Sequence, residues 1–403
     1  MIIVDDEQLI LPKGFLVSGV HAGLKKKKLD MALIYSDTPC TSSSTYTTNK
    51  VKAAPVLYDM SIKQSPKRGI IINSGNANAC TGEQGYKDAV HMAELCAAKL
   101  GGTSDEYFVA STGVIGVPLD MNKIESGIND AISELSTSDK QIDNVATAIL
   151  TTDTHKKCVT ASFVYDEKLV KVTGFAKGSG MIHPNMATTL SFIMTDAKID
   201  SESLQLLTGL SVEDSFNMIS VDGDTSTNDS CFVLANGASL VDCSTGEAKE
   251  NFAFALDTVL KKLAIMLVKD GEGAEKLIEV EVFGAVDTKN AKILARSIIS
   301  SNLVKAAFFG SDANWGRILC AMGYSNAEFD PSLVDLYFKS QKGEIQTLKQ
   351  GEPIAFDEAK AKEILLEKEV KVLVKLNQGC GIANAWGCDL TYEYVKINGD
   401  YRS

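Results

Sequence analysis

Histidine is scarce in this 403-residue chain: only His21, His91, His155 and His183 occur. With so few imidazoles beside the scattered cysteines, no metal-ligand spacing emerges, and no metal site is expected. Nine cysteines are scattered without a single CxxC and sum to an odd number. That pattern excludes a fully paired disulfide framework and reads as free thiols in a reducing compartment. A basic stripe is also missing. The formal net charge is −12, and phosphate backbones need a positive face, so nucleic acid is excluded as a partner. Lys25–Lys28 is the only dense basic cluster, and it reads as a solvated turn or strand edge. No apolar run reaches the length of a bilayer span, and the acidic start Met1-Ile-Ile-Val-Asp-Asp-Glu7 has no charged-then-apolar signal. The expectation is a cytoplasmic protein without a membrane partner.

What is present is an ordinary globular composition, 45% hydrophobic and 23% charged, with enough apolar material for a large core. Short apolar segments alternate with amphipathic ones, which predicts a mixed α/β fold. Expected strands are Met31–Tyr35, Gly69–Ile72, Tyr107–Ala110, Ser162–Val164, Leu169–Gly174, Cys231–Ala235, Ile278–Val282 and Glu369–Lys375. Expected helices are Tyr86–Leu100, Ser201–Asn217, Asn251–Val268 and Ala291–Ser301. The polar stretch Gln341–Asp357 reads as a surface loop or hairpin, and no repeat or low-complexity linker marks a domain boundary.

The most informative segment is Lys177-Gly-Ser-Gly-Met-Ile-His-Pro-Asn-Met-Ala-Thr-Thr-Leu-Ser-Phe-Ile-Met194. A glycine-rich run with one lysine leads to Ala187 and then Thr188, after which Leu190, Phe192 and Met194 alternate as one face of a half-buried strand. By position alone, such a threonine is more often a β-favoured residue or a cap. A self-cleaving enzyme, however, keeps its nucleophile at the head of a core strand. Cutting Ala187–Thr188 would give Thr188 a free α-amine, ordinary pKa about 8, beside its own hydroxyl.

That segment resembles the processing site of the ornithine acetyltransferase family, the bifunctional arginine-biosynthesis proteins also called glutamate N-acetyltransferases. The resemblance runs nearly end to end. It takes in Asn73-Ser-Gly-Asn-Ala-Asn-Ala-Cys-Thr-Gly82, Ser111-Thr-Gly-Val-Ile-Gly-Val-Pro118, Thr151-Thr-Asp-Thr154 and Gly223-Asp-Thr-Ser-Thr-Asn-Asp229. Asp270-Gly-Glu-Gly-Ala274, Gly310-Ser-Asp-Ala-Asn-Trp-Gly-Arg317 and the C-terminal Cys388–Asn398 and Tyr401-Arg402-Ser403 complete it.

The resemblance implies a self-processed fold with an N-terminal threonine nucleophile. Residues 1–187 and 188–403 become two interlocked fragments, assembled as a heterotetramer of two each. It implies acetyl transfer from N2-acetylornithine to glutamate through acetyl-Thr188, with acetyl-CoA left open as a second donor. Thr112 and Gly113 carry over as the oxyanion hole, and Thr154, Lys177, Glu272, Asn398 and Ser403 as substrate contacts beside Thr188. The last departs from the common pattern, since relatives usually end in threonine, yet a hydroxyl and the terminal carboxylate are kept. Asp312 or Asn314 is expected to cap a helix, Arg317 to be a buried ion-pair partner, and His183 to pack its loop. The rival chemistry is an N-terminal-nucleophile amidase or aminopeptidase, in which water rather than glutamate takes the acyl group. A metabolite-binding protein that never cleaves is a third reading.

Overall fold

In the computed structural model, which describes residues 2–5, 9–62, 66–183 and 189–400, strands and helices alternate as the apolar patterning predicts. All eight expected strands lie inside observed ones, and the helices at 86–100, 251–268 and 291–301 match Gly82–Leu100, Gly246–Lys269 and Thr288–Ser300 to within a few residues. The predicted helix Ser201–Asn217 stops earlier, at Glu213, and a separate 3-10 turn follows at Phe216–Met218. Gln341–Asp357 contains the strand Gly343–Lys349, paired in a hairpin with Asp335–Ser340.

Two sheets carry the molecule. The larger runs in the order Ile2–Asp5, Lys157–Tyr165, Lys168–Lys177, Leu190–Thr195, Ser230–Ala235, Met31–Tyr46, Lys67–Asn76 and Tyr107–Val114, with Phe15–Val20 added on Met31–Tyr46. The smaller runs Glu352–Pro353, Gly343–Lys349, Asp335–Ser340, Glu369–Lys375, Leu277–Ala285, Gly381–Cys388 and Ile219–Ser220. Gly246–Lys269 packs on Lys157–Tyr165 and Lys168–Lys177 and reaches Gly381–Cys388, while Thr288–Ser300 covers the second sheet. One continuous apolar cluster therefore joins the two sheets through these helices. Helix starts follow the sequence: Asp120, Ser138, Asp200, Asp287, Ser301, Asn314 and Asp357 each accept a bond from the amide three residues on.

The strand Leu190–Thr195 corrects one expectation. It is buried on both faces, not one. Leu190, Phe192 and Met194 pack in a cluster with Phe175, Phe232 and Phe108, and the Phe192 and Phe232 rings stack at 5.8 Å. Ile193 points into the opposite cluster beneath Gly246–Lys269. Ser191 and Thr195 are small enough to share that second face. The strand pairs antiparallel with Lys168–Lys177 and parallel with Ser230–Ala235, so its ladder is filled on both sides. Two strands from after residue 188 thus lie side by side between strands from before residue 184.

Candidate active site

Three strand ends of the larger sheet, Lys177, Thr189-Leu190 and Asp229-Ser230, meet the Thr112–Gly113 end of Tyr107–Val114 around an open cleft. The parallel register pairs Leu190 with Ser230, and the Ser230 amide donates to the Thr189 carbonyl at 2.8 Å. Asp229 therefore stands level with Thr189 at the cleft wall.

Thr112 is held from several sides. Tyr107–Val114 runs parallel to Lys67–Asn76, but the register breaks at Gly75/Asn76. Gly113 sits at φ +133, and a Cβ there would lie 2.3 Å from the Gly75 carbonyl carbon and 2.5 Å from the Asn76 nitrogen. Only glycine permits that approach. The polar run Asn73–Thr81 fastens the strand ends. Ser111 donates to Asn73 Oδ1 at 2.6 Å, Asn73 to the Asn76 carbonyl at 2.9 Å, and Asn76 to the Val117 carbonyl at 2.9 Å. Asn228 closes the set, its Nδ2 donating to the carbonyls of Ala77 and Ser111 at 2.6 and 2.8 Å. The small polar residues that resembled a family motif are thus a hydrogen-bonded frame for two backbones.

Lys177 reaches across this frame, its ammonium donating to Thr112 Oγ1 at 3.2 Å. Burial lowers its pKa; Asp153 opposes that shift and Lys157 adds to it. Beneath it lies a buried ion triad. Lys157 Nζ contacts Asp153 Oδ1 at 2.7 Å and Asp270 Oδ2 at 2.5 Å. Burial pushes the Asp153 carboxyl up, but Lys157 and Lys177 outweigh it and hold the group well below the usual carboxylate range.

Asp153 also accepts from the Gly178 amide at 2.6 Å. Further along the same loop, Asp222 accepts from Met181 and Ile182 at 2.6 and 2.9 Å, and Thr152 bonds Ser179 at 2.7 Å. The glycine-rich run ahead of residue 184 is therefore shaped by carboxylates far away in sequence. Gly180 makes room for Glu272, whose Oε2 would be 2.4 Å from a Cβ at 180. Asn398, from the helix Tyr392–Asp400, donates to the same oxygen at 2.8 Å.

Of the expected site residues, the cleft brings together Thr112, Gly113, Lys177, Glu272 and Asn398. Thr154 lies off the cleft wall. Its amide and hydroxyl both bind Asp270, and Thr151 and Thr152 line the cleft instead. Ala187, Thr188 and Ser403 fall outside the described residues.

His183 holds its loop, with Nδ1 3.1 Å from Ser220 Oγ and Nε2 3.4 Å from Arg296; burial, then Arg296, lowers its pKa. Two other expectations are corrected. Arg317 is half-buried and donates to the Leu303 carbonyl at 2.9 Å, forming no ion pair among the described residues, because that helix end presents a carbonyl rather than a carboxylate. Lys25 turns inward, donating to the Leu150 carbonyl at 2.6 Å, and burial lowers its pKa to about 8.

Sequence reasoning gave no role to Asp229 or Asn228, although both end a quoted motif. It also missed Asp270 and Lys157 as the partners that fix the loop. The signal for Asp229 was its place one residue before the apolar strand Ser230–Ala235.

A family model described as the ArgJ family matches residues 16–403. The arginine biosynthesis bifunctional protein ArgJ of Caldanaerobacter subterraneus subsp. tengcongensis is 51% identical over 402 residues, 99% of each chain. The protein of the same name from Thermotoga neapolitana is 50% identical, over 98% of this chain and 100% of its own. ArgJ 1 of Clostridium acetobutylicum is 53% identical over 96% of each. Among solved structures, the arginine biosynthesis bifunctional protein of Bacillus halodurans is similar with 45% identity and a TM-score of 0.50, covering 52% of this chain and 98% of that one.

Proposed function

Because this chain belongs to the ArgJ family and is an acyltransferase of arginine biosynthesis, we propose that it carries the acetyl group of N2-acetylornithine to glutamate as an ester on Thr188. The observation that carries this reading is the composition of the cleft. Thr112, Gly113 and Lys177 come from before the expected cut, and Thr189, Glu272 and Asn398 from after it, around one polar opening. Thr188 is covalently joined to Thr189, a cleft residue.

In the uncut chain the Thr188 hydroxyl attacks the Ala187 carbonyl carbon; the peptide C–N bond breaks, and water resolves the resulting ester. The released amine is then the general base. It takes the hydroxyl proton as Oγ attacks the acetyl carbonyl and passes it to the departing α-amine of ornithine. The Thr112 hydroxyl and the Gly113 amide donate to the oxyanion, each worth about 10²–10³ in rate. Glutamate then attacks the acetyl ester with its α-amine, which regenerates Thr188.

Lys177 pairs with the α-carboxylate shared by both amino acids, and Glu272 with the side-chain ammonium of ornithine; Asn398 steadies Glu272. Ser403 is a further substrate contact, and Thr154 acts through Asp270 and Lys157 on the loop after Lys177. Since donor product and acceptor share one pocket, the kinetics are ping-pong.

Cleavage leaves fragments 1–187 and 188–403 joined by the pairing of Leu190–Thr195 with Lys168–Lys177 and of Ser230–Ala235 with Met31–Tyr46, assembled two of each in the cytoplasm. The half-length solved chain from Bacillus halodurans, matched over 98% of itself by 52% of this sequence, supports such a division, since residues 188–403 are just over half of the chain.

Intact mass with and without acetylornithine tests the proposal. Two fragments meeting at Ala187 and Thr188, with one acetyl on the latter, are expected. An uncut chain that never gains an acetyl group sinks it, and acetate released in the presence of glutamate makes the enzyme a hydrolase. The same measurement with acetyl-CoA decides whether there is a second donor.

A further inference from the structure

Of the four consecutive lysines Lys25–Lys28, three are exposed and Lys25 alone turns inward. Its loop is built on the buried Asp30. That carboxylate accepts from the Ala22 amide at 2.5 Å and the Lys25 amide at 2.7 Å, while the Asp30 carbonyl accepts from the Ser74 amide at 2.8 Å. The loop is thereby fastened beside the end of Lys67–Asn76. A Cβ added to Gly75 would lie 3.2 Å from Lys25 Cγ, so the lysine stem packs directly over Gly75. This is the same residue whose carbonyl carbon Gly113 approaches so closely.

The tip of Lys25 reaches a second element. Its Nζ donates to the Leu150 carbonyl at 2.6 Å and to the Leu29 carbonyl at 3.2 Å. Leu150 follows the helix Asp139–Ala148, whose aligned peptide dipoles favour a cation at that end. The Ser74 hydroxyl takes the Ala148 carbonyl of the same helix. Directly beyond Leu150, Thr151 and Thr152 line the cleft, and the Thr151 amide donates to Asp153 Oδ2 at 3.0 Å. Lys25 thus joins the strand end beside Gly113 to the opposite turn of the cleft. The charges facing its tip nearly balance. Burial lowers the pKa to about 8; Asp30 opposes that shift, Lys177 and Lys28 add to it, and Asp153 opposes it.

We propose that Lys25 is a positioning residue for the oxyanion donors Thr112 and Gly113, its stem backing Gly75 against Gly113 and its protonated tip tying that strand end to the Thr151–Thr152 wall. This rests on the oxyanion assignment above and adds a support to it. Lys25 is not part of the cleft lining, so it acts through Gly75 and Leu150 rather than on the substrate. A charged N–H donor bonds a carbonyl about twice as strongly as a neutral one. Loss of the Lys25 proton therefore slackens the tie without removing the stem.

The test uses the full chain with Lys25→Met, which keeps the stem and loses the donor, and Lys25→Arg, whose donor cannot lose its charge. Acetyl-transfer kcat, KM for acetylornithine and thermal midpoint are measured at pH values on both sides of 8. At the acid end Lys25→Met should retain its midpoint, keep KM within about threefold and lose about 10- to 100-fold in kcat, the scale of a misplaced reacting group. The ratio of parental to Lys25→Met kcat should then fall as pH rises through about 8, because the parent's own tie weakens. Groups common to both proteins, the Thr188 amine included, cancel in that ratio. Lys25→Arg should recover activity, and its ratio to Lys25→Met should stay level with pH. Parental kcat in Lys25→Met overturns the proposal, as does a parental ratio independent of pH. So does a joint decline of kcat, KM and midpoint, because that is a structural role. If the parent itself never acetylates Thr188, the oxyanion assignment falls and takes this inference with it.

Discussion

Replacing Gly113 by alanine should disable the site without touching any charged group. The new Cβ would meet the Gly75 carbonyl carbon at 2.3 Å, the Asn76 nitrogen at 2.5 Å and the Gly75 Cα at 2.7 Å. All three are backbone atoms of the adjoining strand, so no rotamer change relieves the contact. Restoring an ordinary separation of about 3.5 Å moves one strand end by about 1 Å. The residue is also at φ +133, where a non-glycine costs about 1–3 kcal/mol.

A displacement of about 1 Å at a reacting group costs about 100-fold in rate. Gly113→Ala should therefore lose about 100-fold in the acetylation of Thr188, followed by mass spectrometry in single-turnover mode. Gly116→Ala is the control. It has φ +80, but nothing lies within 4 Å of its added Cβ, so it carries backbone strain alone and should acetylate at close to the parental rate. If Gly113→Ala acetylates as fast as Gly116→Ala, the argument that strand proximity fixes the oxyanion donor is wrong.

Lys157→Met should lower stability by about 3–5 kcal/mol, because it strips the shared cation from two buried carboxylates; denaturant unfolding measures this, and adding Asp270→Asn should recover part of the loss. Lys177→Met keeps the apolar stem but removes a charged donor worth about 1.5–3 kcal/mol, so KM for acetylornithine should rise about 10- to 100-fold in steady-state assays; an unchanged KM removes Lys177 from the pocket. Asp153 has its carboxyl pKa depressed in the folded state, so its stabilising effect is complete above the unfolded value of about 3.9 and is lost as pH falls from there through the folded value. The unfolding midpoint should drop below about pH 4, and Asp153→Asn should flatten that acid limb; a limb unaltered in this variant refutes the linkage.

Sequence patterning located the elements well because burial imposes its period on the chain. It read the burial of Leu190–Thr195 only in part. Alternation revealed the Leu190, Phe192 and Met194 face, whereas Ser191 and Thr195 disguised the second one, since small polar residues tolerate packing under a helix. Lys25 was misread for the opposite reason. A lysine in a basic run gives no local sign that its tip will find the Leu150 carbonyl.

The sequence by itself determined the element order, the helix caps, the family and the motif residues that line the cleft, because each is written in local residue types and their spacing. Only the tertiary structure decided that Lys177 touches Thr112, that Asp153 and Asp222 shape the glycine-rich loop, that Thr154 spends its hydroxyl on Asp270, and that Asp229 Oδ2 is buried at the cleft without a partner among the described residues. Those facts depend on contacts between residues up to 116 positions apart. Such partners are brought together by sheet pairing and helix packing, whose geometry no local pattern encodes.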